Sequence, residues 1–406
     1  MIQFHLIVTM MEMGYSGPHQ DYLPRMLPPV EAAPATDGPP ITSDWPELRQ
    51  GDEYPPTSLQ ASPVLYSSIW QSTQDRSILV EHRGYEVLPG RVSSPPRYSE
   101  VHTQALRELT RVLSAADGIQ MHILKCRGIF FREGHGNHGN PVSTAKNADS
   151  RFELQFVLPP GYGTAEAPRT LRDLLVDPSN KDVRHPLDQR LRLAVNLAQA
   201  VLYVHSANFV HKNIRPENVL IISSDSQGSK HPFPEAIGEG FLVGFDLSRG
   251  ANQPSLFMQN DHDLKSLYRH HERWGARPGT RFEMFHDVYS LGVVLLELGL
   301  WHPLARIDST GSVRFGSYIK EYMQTRDAKG VQERLLKLAR LRLAACMGSA
   351  YAEVVVACLR CVEDRLLDSD GDSGHDNGDS GRETTVGALF LSRVLQRLQD
   401  IHMVRV

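Results

Sequence analysis

Three short runs carry residue types at spacings that could do chemistry. "GHGNHG" (Gly134 to Gly139) is a literal G-x-G-x-x-G with two histidines. Such a run can wrap a phosphate in backbone amides when a helix follows, or offer imidazoles to a metal. No helical pattern follows it, so it reads as a flexible hairpin insert spanning 134–150. "CLRC" (Cys358 to Cys361) has zinc-like spacing but lacks the second pair of ligands that a structural zinc needs, and it sits in a helical stretch, Tyr351–Leu366. "DSDGDSGHDNGD" (Asp368 to Asp379) imitates a calcium loop, with Ser373 where glycine is required and Asp379 where a bidentate Glu belongs. It reads as part of a solvated acidic linker, 368–383. No metal site is expected from any of the three.

Four other strings are more telling together than apart: "FVHKNIRPENVLI" (Phe209 to Ile221), "FLVGFDLSR" (Phe241 to Arg249), "YRHHER" (Tyr268 to Arg273) and "DVYSLGVVLLEL" (Asp287 to Leu298). In this order and with these gaps they resemble the protein kinase superfamily. The first is similar to the H-R-D-L-x-x-x-N catalytic loop. His211 then stands for the His, Lys212 for the Arg, Asn213 for the catalytic Asp and Asn218 for the metal-binding Asn. Arg215 keeps a positive charge where kinases have a phosphate-contacting Lys. The second string matches the D-F-G region, with Gly244 at the metal-binding Asp, Phe245 at the Phe and Asp246 at the Gly. Glu272 matches the acid of A-P-E, with His271 in place of proline. Asp287 matches the buried Asp that ties the catalytic-loop backbone. The strings are also similar to fungal kinase-like domains of heterokaryon-incompatibility and regulated cell-death proteins. Relatives of that kind often carry a helical membrane-active domain before the kinase-like part, where this chain has a Pro-rich arm.

The resemblance implies ATP and Mg²⁺, yet the residues that would handle them are replaced. Phosphoryl transfer rests on positioning and on neutralising phosphate charge. The first lysine of the chain is Lys125, after the small-lobe helix, so the strand that should carry the lysine, "ILVEHRGY", offers only His82 or Arg83. Arginine's planar fork differs in reach from a point-like ammonium. No Gly-rich loop precedes that strand. Asn213 cannot take up a proton near neutral pH, and Gly244 has no carboxylate. Asp246, two residues on, is displaced by about 6.6 Å along an extended segment. The expectation is a pseudokinase acting as a regulatory or interaction module, with no cofactor required. The alternatives are an atypical Ser/Thr kinase with weak transfer and an ATP-binding switch without transfer.

The elements that must position these residues follow a strand-rich then helix-rich order. Strand patterns cover Val64–Trp70, Ser77–Tyr85, Ile129–Arg132 and Phe152–Leu158. Helical spacing covers Ser99–Ala116 and, most clearly, Leu187–Ser206, and an amphipathic helix closes the chain at Val386–Ile401. This is an α+β pattern in two lobes: a small lobe over about 64–160 and a larger one over about 168–403. Eleven of the 26 prolines fall in the first 63 residues, so 1–63 reads as a largely disordered arm.

At 406 residues the chain is long enough for one two-lobed domain. A net charge of -4 gives no basic field for nucleic acid. Val288–Trp301 contains Glu297 and falls short of the roughly 20 residues that cross a bilayer. Four cysteines make no disulfide framework, which points to the cytoplasm. The partners expected are therefore proteins.

Overall fold

The computed structural model describes residues 67–69, 78–84, 100–132, 151–162, 168–181, 185–223, 233, 235–245, 248–250, 263–275, 281–308, 312–361 and 390–405. The expected arm 1–63, the insert 134–150, Asp246 and the acidic run 368–383 lie outside the described residues.

The first part of the chain is an antiparallel sheet of β1 (Ser67–Ile69), β2 (Ile78–Gly84), β3 (Lys125–Arg132) and β4 (Arg151–Val157), in the order β1-β2-β4-β3. Helix α1 (Glu100–Ser114) lies against β3 and buries Leu106, Leu109 and Leu113, one turn apart on one face. Strand β3 begins four residues before the expected Ile129, because exposed Lys125 and Arg127 alternate with buried Cys126 and Gly128. The charges on its open face hide a half-buried strand from a search for apolar runs.

The chain leaves this sheet through β5 (Arg169–Thr170) and α2 (Leu171–Val176). A reciprocal capping box between Thr170 and Asp173 opens that helix. Helix α3 (Leu187–Ser206) has the expected bounds. It leads through β6 (Phe209–Val210) and a tight loop to β7 (Val219–Ile222), β8 (Glu239–Leu242) and β9 (Arg249–Gly250). Strands β5, β7 and β8 form one small antiparallel sheet, and β6 pairs with β9.

Helix α4 (Met284–Leu300) is buried from Met284 through Gly299. It starts three residues before the expected Asp287, since the Glu283 amide donates to His286 Nδ1 at 2.9 Å and closes an unusual capping box with histidine at its third position. After β10 (Ala305–Ile307) and β11 (Val313–Phe315) come α5 (Ala328–Leu338), a π-helical segment Ala339–Leu343, and α6 (Ser349–Leu359). Helix α6 ends at Leu359, and the last five residues of the expected stretch to Leu366 lie outside the described residues. It crosses α4 where a Cβ at Gly292 would lie 2.6 Å from Cys358 Cβ, so only glycine admits this approach. Cys358 is thus packed between helices, its thiol pushed up to about 12 by burial, while Cys361 Sγ donates to the Phe285 carbonyl at 3.1 Å. The closing segment runs as a π-helical turn, Leu391–Leu395, into α7 (Gln396–Arg405), four residues beyond the expected end at Ile401.

One buried apolar cluster runs from Leu79 on β2 to Leu398 on α7. The first sheet joins the rest through a parallel bridge, Ile123 with Leu242, and the Leu242 amide donates to the His122 carbonyl at 2.9 Å. Burial pushes the His122 imidazole down to about 4, outweighing the pull of Glu239. An unfolded His122 takes its proton near 6.5 and the folded one near 4, so the unfolded state binds more protons between those values. Stability should therefore be fully present above pH 6.5 and fall on acidification, by up to about 1.4 kcal/mol per pH unit from this group. Denaturant midpoints between pH 7.5 and 4.5 check this. His122→Gln should flatten the slope, and an unchanged slope would contradict it.

Candidate functional site

The loop from His211 to Asn218 is held from below by α4. Asp287, wholly buried in the first turn of that helix, accepts from the His211 amide at 2.7 Å and the Lys212 amide at 2.8 Å, and lies 3.2 Å from His205 Nε2. Burial alone would raise the Asp287 carboxyl, but His205, His211 and the loop amides hold it below the usual carboxylate range. These contacts fix a turn in which Lys212 adopts φ 67°. Its Nζ lies 5.9 Å over the Phe282 ring.

The loop closes on itself and on the strand after it. Asn218 Nδ2 donates to the Asn213 carbonyl at 2.6 Å, and the Val243 amide donates to the Asn218 carbonyl at 2.9 Å. The Asn213 amide donates to His211 Nδ1 at 3.3 Å, which leaves Nε2 to donate to the Val243 carbonyl at 3.1 Å. The His211 ring also meets Phe245 at 4.8 Å, and Phe245 stacks on Phe156 of β4 at 6.3 Å. The structure thus gathers His211, Asn213, Asn218, Gly244 and Phe245 into one buried group, with Asp287 beneath it. Arg215 is 2% exposed, and its Nε and Nη2 have no hydrogen-bond partner among the described residues, so its charge lies inside the protein.

Two features change what this group can do. Gly244 has φ +86°, and a Cβ there would lie 2.4 Å from Asn218 Cγ, so the Asn218 amide fills the space a side chain at 244 would need. In addition, the Gly244 amide donates to Glu81 Oε2 at 3.0 Å, across 163 positions of sequence. Glu81 is buried on β2, in the strand where a lysine was sought. Sequence reading missed it because it looked for a cation there. The signal available was a carboxylate in an otherwise apolar strand start, Ile78 to Glu81. Arg83 belongs to the same strand, but its side chain lies outside the described part, and Lys125 points into solvent from β3.

Glu272 stands apart from this group. It lies in a 3₁₀ turn, His271–Arg273, with Oε2 3.8 Å from both His270 Nδ1 and His286 Nε2. These three groups are close enough to suggest a metal, their atoms lying within 4.8 Å of one another. The tautomer argues otherwise. His286 Nδ1 accepts the Glu283 amide, so in the neutral ring Nε2 carries the proton and faces Glu272 rather than offering a lone pair. The nearby His286 imidazole outweighs partial burial and holds Glu272 below its usual range.

A third cluster went unread in the sequence. Arg172 of α2 donates from Nε to Glu217 Oε1 at 3.1 Å, and from Nη1 to Glu297 Oε1 at 3.2 Å and to the Ala305 carbonyl at 3.0 Å. It also bonds Tyr268, whose hydroxyl donates to Glu297 Oε2 at 2.8 Å. Burial would lower the guanidinium, but Glu297, Tyr268 and Glu217 keep it well above its ordinary value, while burial raises Glu297. The cluster ties the loop's Glu217 to the C-terminal half of α4.

Small antiparallel sheets beside buried helices, with the H-x-x-x-x-x-x-N loop between α3 and β7, are compatible with a kinase-like α+β fold. Curated relatives point the same way. The chain is 29% identical over 110 residues to eukaryotic translation initiation factor 2-alpha kinase 1 of Mus musculus, an alignment covering 25% of this chain and 16% of that one. It is 26% identical over 120 residues to dual specificity protein kinase lkh1 of Schizosaccharomyces pombe (30% and 17% of the two chains). It is 25% identical over 134 residues to eIF-2-alpha kinase GCN2 of the same yeast (32% and 8%). The match thus spans less than a fifth of each relative's length. Residues 149–386, more than half of the chain, match a sequence family, and the chain belongs to it: Domain of unknown function (DUF7580). No helix among the described residues is long and apolar enough to cross a membrane.

Proposed function

We propose that this chain is a kinase-like domain of two lobes that does not transfer phosphate and serves as a regulatory or interaction module. The observation that carries the reading is the Glu81–Gly244 hydrogen bond. A buried carboxylate faces the strand-loop junction where the resemblance would place a lysine and a metal-binding Asp. A nucleotide triphosphate brought there meets like charge at close range, in a setting where water screens little. The groups that remain, Asp287 with His205 and Arg172 with its two carboxylates, hold the loop and helices together. They keep the scaffold without its chemistry.

On this reading neither ATP nor Mg²⁺ is a required cofactor, and the chain acts by what it binds. The strings shared with fungal kinase-like domains of heterokaryon-incompatibility and cell-death proteins suggest a signalling role of that kind. The test is transfer of labelled γ-phosphate to the chain itself and to generic protein substrates, with Mg²⁺ or Mn²⁺. Incorporation at background level is expected, equal in the wild type and in Asn218→Ala. Metal-dependent labelling that Asn218→Ala abolishes would contradict the proposal.

A further inference from the structure

A cationic surface with an exposed apolar tip lies beyond the C-terminal end of α4, far along the chain from the loop described above. Helix α5 continues into the π-helical segment Ala339–Leu343, whose wider turn leaves Arg340, Leu341 and Arg342 all exposed in succession, while Ala339 and Leu343 stay buried. Leu341 is 64% exposed, the most exposed large apolar side chain among the described residues. The Arg342 guanidinium lies 5.0 Å from the ring centroid of Tyr318, itself 37% exposed. His302, also exposed, is the link to β10: burial and the charges of Arg306 and Arg342 push its imidazole down.

The hairpin of β10 and β11 adds a second, independent sign. It sets Arg306 directly opposite Arg314, and like charges opposite each other weaken a strand pair. Asp308 answers Arg314 at 2.8 Å, but no carboxylate among the described residues pairs with Arg306 or Arg342. Arg306 and Arg342, on neighbouring elements and without a carboxylate partner among the described residues, together with exposed Leu341 and Tyr318, give a surface whose charge an acidic ligand would complement. Arginine and tyrosine are also the side chains that carry most binding energy at protein interfaces.

We propose that this surface is the docking site for an acidic protein segment with an apolar anchor, the carboxylates meeting Arg306 and Arg342 and the apolar side chain resting on Leu341 and Tyr318. The inference rests on the interaction-module reading and gives it a partner class. It is independent of the nucleotide question, because the surface involves none of the loop residues.

The test is fluorescence anisotropy of the full chain with a labelled peptide of alternating Glu and Leu, against the same peptide with Lys for Glu. Binding of the acidic peptide that weakens with salt is expected, with none of the basic one. Arg306→Glu/Arg342→Glu should reduce affinity at least about tenfold, since like-charge contacts cost several kcal/mol. Leu341→Ser should reduce it with little change in salt dependence. Leu341→Ser should keep the wild-type melting temperature, because the side chain is exposed, and the double charge reversal should not lower it, because it replaces repulsion opposite Arg314 by attraction. No binding of the acidic peptide, or equal binding by the charge-reversed variant, would overturn the proposal. So would binding to phosphatidylserine vesicles or RNA that leaves the peptide unbound. A failed peptide assay beside absent phosphotransfer would sink this surface and leave the inactive-kinase reading intact.

Discussion

Replacing Arg172 by alanine should destabilise the fold by about 3–5 kcal/mol, the cost of leaving buried charge without its partner. The variant would abandon Glu217 and Glu297, both nearly or wholly buried, together with the Tyr268 hydroxyl. Glu297 would keep its bond from the Leu304 amide at 2.7 Å, but no cation. Lysine should rescue poorly, because one ammonium cannot span two carboxylates, a hydroxyl and the Ala305 carbonyl as a guanidinium does. The triple change Arg172→Met, Glu217→Gln, Glu297→Gln should recover most of the loss, since uncharged replacements of similar volume often match a buried ion pair. Urea midpoints of the three variants measure this. A loss below about 1 kcal/mol in Arg172→Ala, the range of exposed pairs, would mean that the cluster is solvated.

Gly244→Asp should be the most damaging change in the loop group, although it looks like the repair of a lost metal ligand. Its φ of +86° strains any L residue by about 1–2 kcal/mol. The new Cβ would meet Asn218 at 2.4 Å, and Asn218 cannot swing away without giving up its 2.6 Å bond to the Asn213 carbonyl. The added carboxylate would also be placed near that of Glu81, which the Gly244 amide already holds. Together these effects should remove several kcal/mol, each one being of order 1–3 kcal/mol. Gly244→Ala separates them: it keeps the strain and the clash without the charge, so it should be destabilised but less. Asn213→Asp should leave the fold standing. A Gly244→Asp protein that melts like the wild type would show that Asn218 yields easily and that the site is open.

Much of the scaffold was legible because its elements have strong local signatures. Helix α3 shows one apolar face over twenty residues, and its bounds follow directly. Strand β3 was cut short because Lys125 and Arg127 occupy its open face, and α4 was started late because a Glu–His capping box is not a usual signature. The loop residues His211, Asn213 and Asn218 are legible through the resemblance of their string to a kinase catalytic loop, which carries no knowledge of depth. What could not be read was pairing across long separations. Glu81 meets Gly244 across 163 positions, and Arg172 meets Glu297 across 125. The group of His270, Glu272 and His286 likewise has no spacing that a local pattern would find. The resemblance implies replaced residue types at the motif positions; it does not imply that the Asn218 amide packs against Gly244 or that the Glu81 carboxylate accepts from its amide.

The most direct test of the inactive-kinase account is a titration of the wild-type chain with ATP, with and without Mg²⁺, followed by its melting temperature. A protein that bound ATP with a Kd one hundredth of the highest concentration used would be stabilised by about 2.7 kcal/mol. For a domain of this size that is a rise of several degrees. The account predicts no rise in either condition, because the Glu81 carboxylate and the buried Arg215 leave the phosphates repelled and unheld. A saturable, Mg²⁺-dependent rise in melting temperature would contradict it.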